Sequence, residues 1–239
     1  MEYGTIQDAV AETGLLVRGG FHPVAEDGVP GGPRGEPGTV VLVGNAGSAM
    51  WEAFAAAIPL KDGKNSPNPL DDWTRDVLAP VAGALGARAL YPFEGPPYYP
   101  FQRWALKTGG VHVSPIGPLI DAEFGLWHAY RGALAFDQRL EVPDSGGRPS
   151  PCDSCAEKPC LGTCPVGAFG PREDPEAPAP YDIPACVAHV SSADGQDCLG
   201  GGCLARRACP VGRDYVYAPD QARFHMERFL KAQGRQGRG

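Results

Sequence analysis

The first 151 residues contain no cysteine. That absence removes disulfide staples and thiolate metal sites from this part of the chain. No apolar run reaches the roughly 18 residues of a membrane-spanning helix. The chain begins Met-Glu-Tyr-Gly-Thr, without the basic start and apolar stretch of an export signal. The expectation is a soluble, cytoplasmic protein with no membrane partner. Histidine is also scarce. His22, His112, His128, His189 and His225 are scattered, and no two stand at i, i+4, so a helical histidine metal site is not expected. Positive charge is in deficit, with 21 Lys and Arg against 28 Asp and Glu and a formal net charge of −7. An acidic chain is poorly suited to bare nucleic acid, so no nucleic-acid partner is expected.

What is abundant is glycine and proline, 33 and 26 residues, with no Gly-x-y period. That composition means many turns rather than a collagen-like rod. Hydrophobic residues make up 43% of the 239, enough to build a core. Ile6, Ala9, Val10, Thr13 and Leu16 or Val17 recur at helical spacing, which predicts an amphipathic helix over 5–17. From Gly28 to Gly38, eight of the eleven residues are glycine or proline, and 19–38 reads as a long surface loop. Thr39–Val43 is apolar and β-branched, the pattern of a buried central strand.

Gly44-Asn45-Ala46-Gly47-Ser48 then turns into a helix over Met50–Ile58. With no lysine or further glycine at the spacing of a phosphate fingerprint, a tight strand-to-helix turn is the preferred reading. A second helix starts at Asn68, with Trp73, Val77, Leu78, Val81 and Leu85 on its buried face and a kink expected at Pro80. Ala87–Phe93 reads as a strand, Phe101–Thr108 as a short helix stopped by Gly109-Gly110, and Leu126–Phe136 as another strand. This mixture of helices and strands predicts an α/β sandwich. Val142–Pro151 is a Pro/Gly linker, and Pro219–Ala232 a closing helix with a fraying tail over Gly234–Gly239. The implied domains are residues 1–145, holding a cofactor or substrate, residues 150–217, holding the cysteines, and residues 218–239.

All eight cysteines lie between Cys152 and Cys209. Three chemistries compete for them. Disulfides suit exported, core-poor domains. Zinc prefers Cys-x2-Cys pairs, and only Cys152 and Cys155 keep that spacing. The remaining gaps within the two groups hold four, three, eleven, four and five residues. Iron–sulfur binding fits best. In the two-cluster bacterial pattern, three cysteines wrap one cluster and a fourth, followed by proline, serves the other. Here both groups end in Cys-Pro, at Cys164-Pro165 and Cys209-Pro210. Proline has no N–H and a fixed φ, so it turns the chain away after the ligand. The two Cys-Pro ends suggest crossed ligation, with Cys152, Cys155, Cys160 and Cys209 for one [4Fe–4S] cluster and Cys164, Cys186, Cys198 and Cys203 for the other, although the gaps after Cys155 and around Cys203 are longer than the usual two and three. The segment Val166–Phe169 is then expected to pack beside a cluster.

Over roughly residues 90–215 the chain resembles the epoxyqueuosine reductase family. The resemblance rests on Arg103-Trp104-Ala105-Leu106-Lys107-Thr108-Gly109-Gly110, on Ile116-Gly117-Pro118-Leu119-Ile120, on Phe124-Gly125-Leu126-Trp127 and on the two cysteine groups. The N-terminal part is similar in layout to the CblC-type cobalamin-processing proteins, whose core is a nitroreductase-like α/β domain. The resemblance implies a nitroreductase-like sandwich followed by a small ferredoxin-like domain with two [4Fe–4S] clusters. It also implies a cobalamin in the N-terminal domain, reduced by those clusters.

Gly109, Gly110, Ile116, Gly117 and Leu119 are the implied cofactor-binding residues. Glu94 is the nearest match to the reductase's proton-donating carboxylate, although it is Glu in place of Asp and aligns only with a one-residue gap. Both families bind cobalamin without an Asp-x-His-x-x-Gly signature, and this chain lacks one too. The chain is shorter than the reductase and shows no basic surface, so a transfer-RNA substrate is not carried over. The implied partners are a low-potential electron donor of ferredoxin or flavodoxin type and a corrinoid or other small molecule. The implied function is a cobalamin-dependent iron–sulfur oxidoreductase or corrinoid processor. The alternative is a ferredoxin-like carrier with an added docking domain and no turnover of its own.

Overall fold

The computed structural model describes residues 1–31, 35–57, 66–144 and 146–236. It is a mixed α/β protein with small antiparallel sheets. The chain opens with α1 (Tyr3–Ala11), β1 (Leu16–Phe21), β2 (Thr39–Ala46) and α2 (Ala49–Ala57). It continues through α3 (Pro69–Ala84), β3 (Arg88–Leu90), α4 (Phe101–Lys107), β4 (Val111–Val113), β5 (Leu119–Asp121) and β6 (His128–Phe136). Short helices follow, α5 (Pro159–Gly162), α6 (Ile183–Val190), α7 (Gln196–Gly201) and α8 (Leu204–Arg207), and α9 (Pro219–Gln236) closes the described chain. Two compact units result. The first is Met1–Val111 with His128–Arg148; the second is His112–Trp127 with Pro149–Gly239. No helix among the described residues is long and apolar enough to cross a membrane.

The first unit is built on a four-stranded sheet in the order β1-β2-β6-β3, with every neighbouring pair antiparallel. Its central strand β2 is buried along its whole length, and Val40, Val41, Leu42 and Val43 are all 0% exposed. Each such side chain contributes about 1.5–3 kcal/mol by leaving water. The strand runs past the apolar stretch, through Gly44 and Asn45 to Ala46, because the ladder to β6 persists across a bulge between Val43 and Gly44. Glycine is required at that bulge: a Cβ on Gly44 would lie 2.0 Å from the Ala129 carbonyl oxygen.

Helices α1 and α2 cover β1 and β2, and α3 covers β3 and β6. Phe54 of α2 meets Trp73 of α3 edge-on at 5.8 Å. The buried face of α3 is Leu70, Trp73, Thr74, Leu78 and Ala82, with Pro80 on the exposed side inside a continuing helix.

Three expectations are corrected. The helix expected over 5–17 ends at Ala11, because Gly14, at φ +81°, turns the chain into β1. The expected long loop therefore loses its first residues to β1, which pairs with β2 through Phe21. The loop is also not wholly on the surface. Its turn at Ala25–Asp27 carries Asp27, 6% exposed, whose carboxylate takes a salt bridge from Lys107 at 2.6 Å and the Val24 N–H at 2.9 Å. Trp104 Nε1 donates to the Asp27 carbonyl at 2.9 Å, so α4 holds the turn by two side chains. Finally, the strand expected from Leu126 begins at His128. Ile58, residues 32–34, residue 145 and residues 237–239, which fall within elements expected above, lie outside the described residues.

Burial opposes the charged form of Asp27, but the Lys107 ammonium, the Val24 N–H and the charges of Lys107 and Arg103 outweigh it and hold the carboxyl below its ordinary value. A carboxyl depressed in the folded state stabilises the fold above its unfolded pKa, and loses that contribution as pH falls through the folded value. Asp27→Asn is therefore expected to cost about 1–3 kcal/mol at neutral pH. Urea unfolding followed by tryptophan fluorescence checks this. The gap between variant and parent should shrink between about pH 5 and pH 2.

Candidate functional site

The second unit gathers all eight thiols, none of them in a disulfide. Ser150 and Pro151 lead into the first group, where the Asp153 N–H bonds the Ser150 carbonyl at 3.0 Å and closes a turn around Cys152. Lys158 then braces the loop. Its Nζ donates to the carbonyls of Cys152 and Cys155, both at 3.2 Å, and its backbone sits in the left-handed region at φ +41°. A non-glycine residue there costs roughly 1–3 kcal/mol and persists only where its surroundings demand it. Pro159 starts α5 and puts Cys160 in its single turn. Cys152, Cys155 and Cys160, joined by Cys209 from the far end of the unit, line one hollow.

Cys164-Pro165 leaves that hollow. The Ala168 N–H donates to the Cys164 sulfur at 3.3 Å, which folds the chain back over it. Cys164 lines a second hollow with Cys186 of α6, Cys198 of α7 and Cys203, the residue before α8. Helix α6 is started by Asp182, whose carboxylate caps the Ala185 N–H at 2.9 Å, and this fixes Cys186 one turn in. One turn of α8 then carries the chain from Cys203 back to Cys209-Pro210 in the first hollow. The guanidinium of Arg206 holds α8 in place. It lies 4.4 Å from the ring centre of Trp127 and 4.5 Å from that of Tyr217, and its Nε donates to the Leu126 carbonyl at 2.9 Å.

A close backbone crossing fixes the Cys209-Pro210 return. A Cβ on Gly125 (φ +57°) would lie 2.1 Å from the Val211 carbonyl oxygen, and one on Gly212 would lie 2.3 Å from the Phe124 carbonyl. Ile116, Ile120, Leu126 and Ala205 pack with Cys160 and Cys209 in one apolar cluster. The walls of the second hollow are largely apolar: Val166, Phe169, Val190, Leu204, and Met226 and Phe229 of α9, with His189 beside them. The second hollow encloses about 180 Å³. The first is narrower, about 20 Å³.

Electrostatics divides the thiols in the same way. Burial pushes Cys160 up to about 11, helped by Cys209, Cys152 and Cys155. Burial also raises Cys152, with Cys209 and Cys155 adding to the rise. In the other set burial raises Cys186, with help from Cys164 and Cys198, and Cys203, with help from Cys186 and Cys164. Burial therefore favours the protonated form of these thiols at neutral pH. The backbone N–H groups of Leu204 near Cys198, of Ala205 and Arg206 near Cys203, and of Val211 near Cys209 partly offset the rise at those sulfurs.

Among the described residues, no group of three or more His, Cys, Asp or Glu sits close enough together to hold one metal ion. Around zinc, sulfurs at about 2.3 Å from the metal lie about 3.8 Å from one another. Each set of four thiols lines one hollow. An all-thiol donor set in apolar walls, with backbone N–H groups aimed at the sulfurs, fits an iron–sulfur cluster.

The other candidate residues are dispersed. Glu94 lies in the first unit, in the turn after β3, with its N–H on the Tyr91 carbonyl. Burial and the Glu94 charge push the Tyr91 hydroxyl up to about 12. In the following turn, Tyr98 is 64% exposed and Tyr99 stacks on Trp104 at 5.6 Å. Gly109 (φ +70°) and Gly110 end α4 in the first unit, whereas Ile116, Gly117 and Leu119 belong to the second. Ile116 packs beside Cys160 and Cys209, and Gly117 (φ +102°) closes a turn onto Ser114. The first unit has its own open groove of about 550 Å³, lined by Phe21, His22, Lys107, Thr108, Val142 and Asp144 among others. Lys158, Tyr181 and Arg206 escaped the sequence reading. The only local signal was the Lys-Pro start of α5. No family model matches the chain, and no curated protein matches it.

Gly125→Ala is expected to drive the Val211 backbone away and loosen Cys209. In the metal-free protein, alkylation of Cys209 followed by mass spectrometry should be at least about tenfold faster, corresponding to about 1.4 kcal/mol of easier opening. Alkylation of Cys186 should keep its rate.

Proposed function

We propose that this protein is an iron–sulfur redox protein whose second unit holds two [4Fe–4S] clusters. One is ligated by Cys152, Cys155, Cys160 and Cys209, the other by Cys164, Cys186, Cys198 and Cys203. The observation that carries the reading is the partition of eight free thiols into two hollows, with each Cys-Pro sulfur lining the hollow of the other group. When bound, such clusters supply one-electron transfer at potentials tuned by burial and by hydrogen bonds to sulfur. The chain's own part is to fix the sulfurs, exclude water with Phe169, Val190, Met226 and Phe229, and aim N–H groups at the ligands.

The finer fold reading belongs here as well: a nitroreductase-like first unit and a ferredoxin-like second unit. The antiparallel β1-β2-β6-β3 sheet with helices packed on it supports the first, and the crossed thiol sets support the second. The first unit would hold the electron acceptor, for which the resemblance suggests a corrinoid and the open groove beside His22 and Lys107 offers space. A ferredoxin- or flavodoxin-type donor would supply the electrons.

Anaerobic reconstitution with ferrous iron and sulfide is expected to load about eight iron and eight sulfide per chain. Cys160→Ser and Cys209→Ser should weaken the same EPR signal of the reduced protein, and Cys164→Ser and Cys186→Ser the other. Pairing of Cys164 with Cys160 would defeat the crossed assignment, and zinc without sulfide would defeat the cluster reading. Addition of cob(II)alamin should shift its visible spectrum toward the base-off form. No shift at saturation would remove the corrinoid and leave a carrier of electrons.

A further inference from the structure

Tyr181 stands at the rim of the second hollow, 40% exposed, five residues before Cys186. Its backbone forms an antiparallel bridge with Phe169, and the two rings stack at 5.0 Å with 13° between their planes. The Gly170 N–H bonds the Pro180 carbonyl at 2.9 Å, and the Asp182 N–H bonds the Ala168 carbonyl at 2.8 Å, so the bridge is closed on both sides. The same Asp182 caps α6, and its carbonyl accepts the Cys186 N–H at 3.1 Å. Ring and sulfur are thereby tied to one residue. The Tyr181 ring and the Cys186 side chain line the same hollow, and burial together with pairing to Cys186 pushes the phenol hydroxyl up. A clamped phenol beside a thiol in the same hollow can do more than fill space. Phenylalanine would fill the same volume and stack on Phe169 equally well.

We propose that Tyr181 sets the reduction potential of the cluster ligated by Cys164, Cys186, Cys198 and Cys203 by donating its hydroxyl hydrogen bond to the Cys186 sulfur; the inference rests on the cluster reading above. Reduction adds one electron and no proton, and no bond is made or broken. The reduced cluster is the more negative state, so a donor at a ligand sulfur stabilises it more than the oxidised state and raises the potential. Tyr181 acts through Cys186 and is a positioning and tuning residue.

The test uses the full chain reconstituted with ferrous iron and sulfide, titrated with dithionite in the presence of redox mediators and followed by EPR. Cys186→Ser identifies which signal belongs to the second set. In Tyr181→Phe with full iron content, the midpoint of that signal should move to a more negative potential while the other signal stays in place. Unchanged midpoints, or an equal shift of both signals, would overturn the proposal. If Tyr181→Phe loads poorly, Phe169→Leu decides. It keeps the hydroxyl but removes the ring that clamps it, and a shift of the second signal in the same direction supports the proposal whereas no shift overturns it. If the parent protein takes up no iron and sulfide, it is the cluster reading that fails.

Discussion

Four partly or fully buried thiols around one hollow cannot all ionise without a compensating positive charge. Burial and mutual repulsion each raise their pKa, and both act in this protein: Cys160 is pushed up to about 11, and Cys152, Cys186, Cys203 and Cys209 are all raised. Metal binding by such a set, as proposed above, would displace those protons. The rest of the second unit serves that constraint. Lys158 and its strained backbone hold the first loop, Asp182 starts α6 under Cys186, and Arg206 pins the single turn of α8 between Trp127 and Tyr217. Helix α9 supplies Met226 and Phe229 as apolar wall.

The crossing depends on very little chain. Proline after Cys164 and after Cys209 turns each segment away from the hollow its own group lines, and α8 spans the return in four residues. The Phe124–Gly125 backbone lies so close to Val211–Gly212 that neither glycine has room for a Cβ. A small domain with little regular structure thus gains its rigidity from turns, a few clamped side chains and the buried sulfurs.

Much of this was legible in the sequence where the signal was chemical and local. The two Cys-Pro ends pointed to the partition into two hollows, and Val166 and Phe169 line the second hollow that their position after Cys164-Pro165 suggested. The apolar run at Thr39 located the central strand, and Pro69 the start of α3. What the sequence hid was long-range. Nothing around Asp27 announces a partner in α4, eighty residues away, and a Gly/Pro-rich stretch does not look as though it holds a buried carboxylate. The bulge that carries β2 past Gly44 exists only because β6 lies beside it. Gly109 and Gly110 stand close in sequence to Ile116, Gly117 and Leu119, yet the compact units divide between them. Tyr181 carries no local signal either: only the Phe169 bridge and stack place it in the hollow with Cys186.

The central claim is that each hollow takes a multi-atom iron–sulfur cluster rather than a lone ion. X-ray absorption at the iron edge of the anaerobically reconstituted protein tests it most directly. The expected spectrum shows iron surrounded by sulfur with a second shell of iron neighbours. Metal with sulfur ligands and no metal neighbour, or a zinc edge in place of iron, would contradict the account.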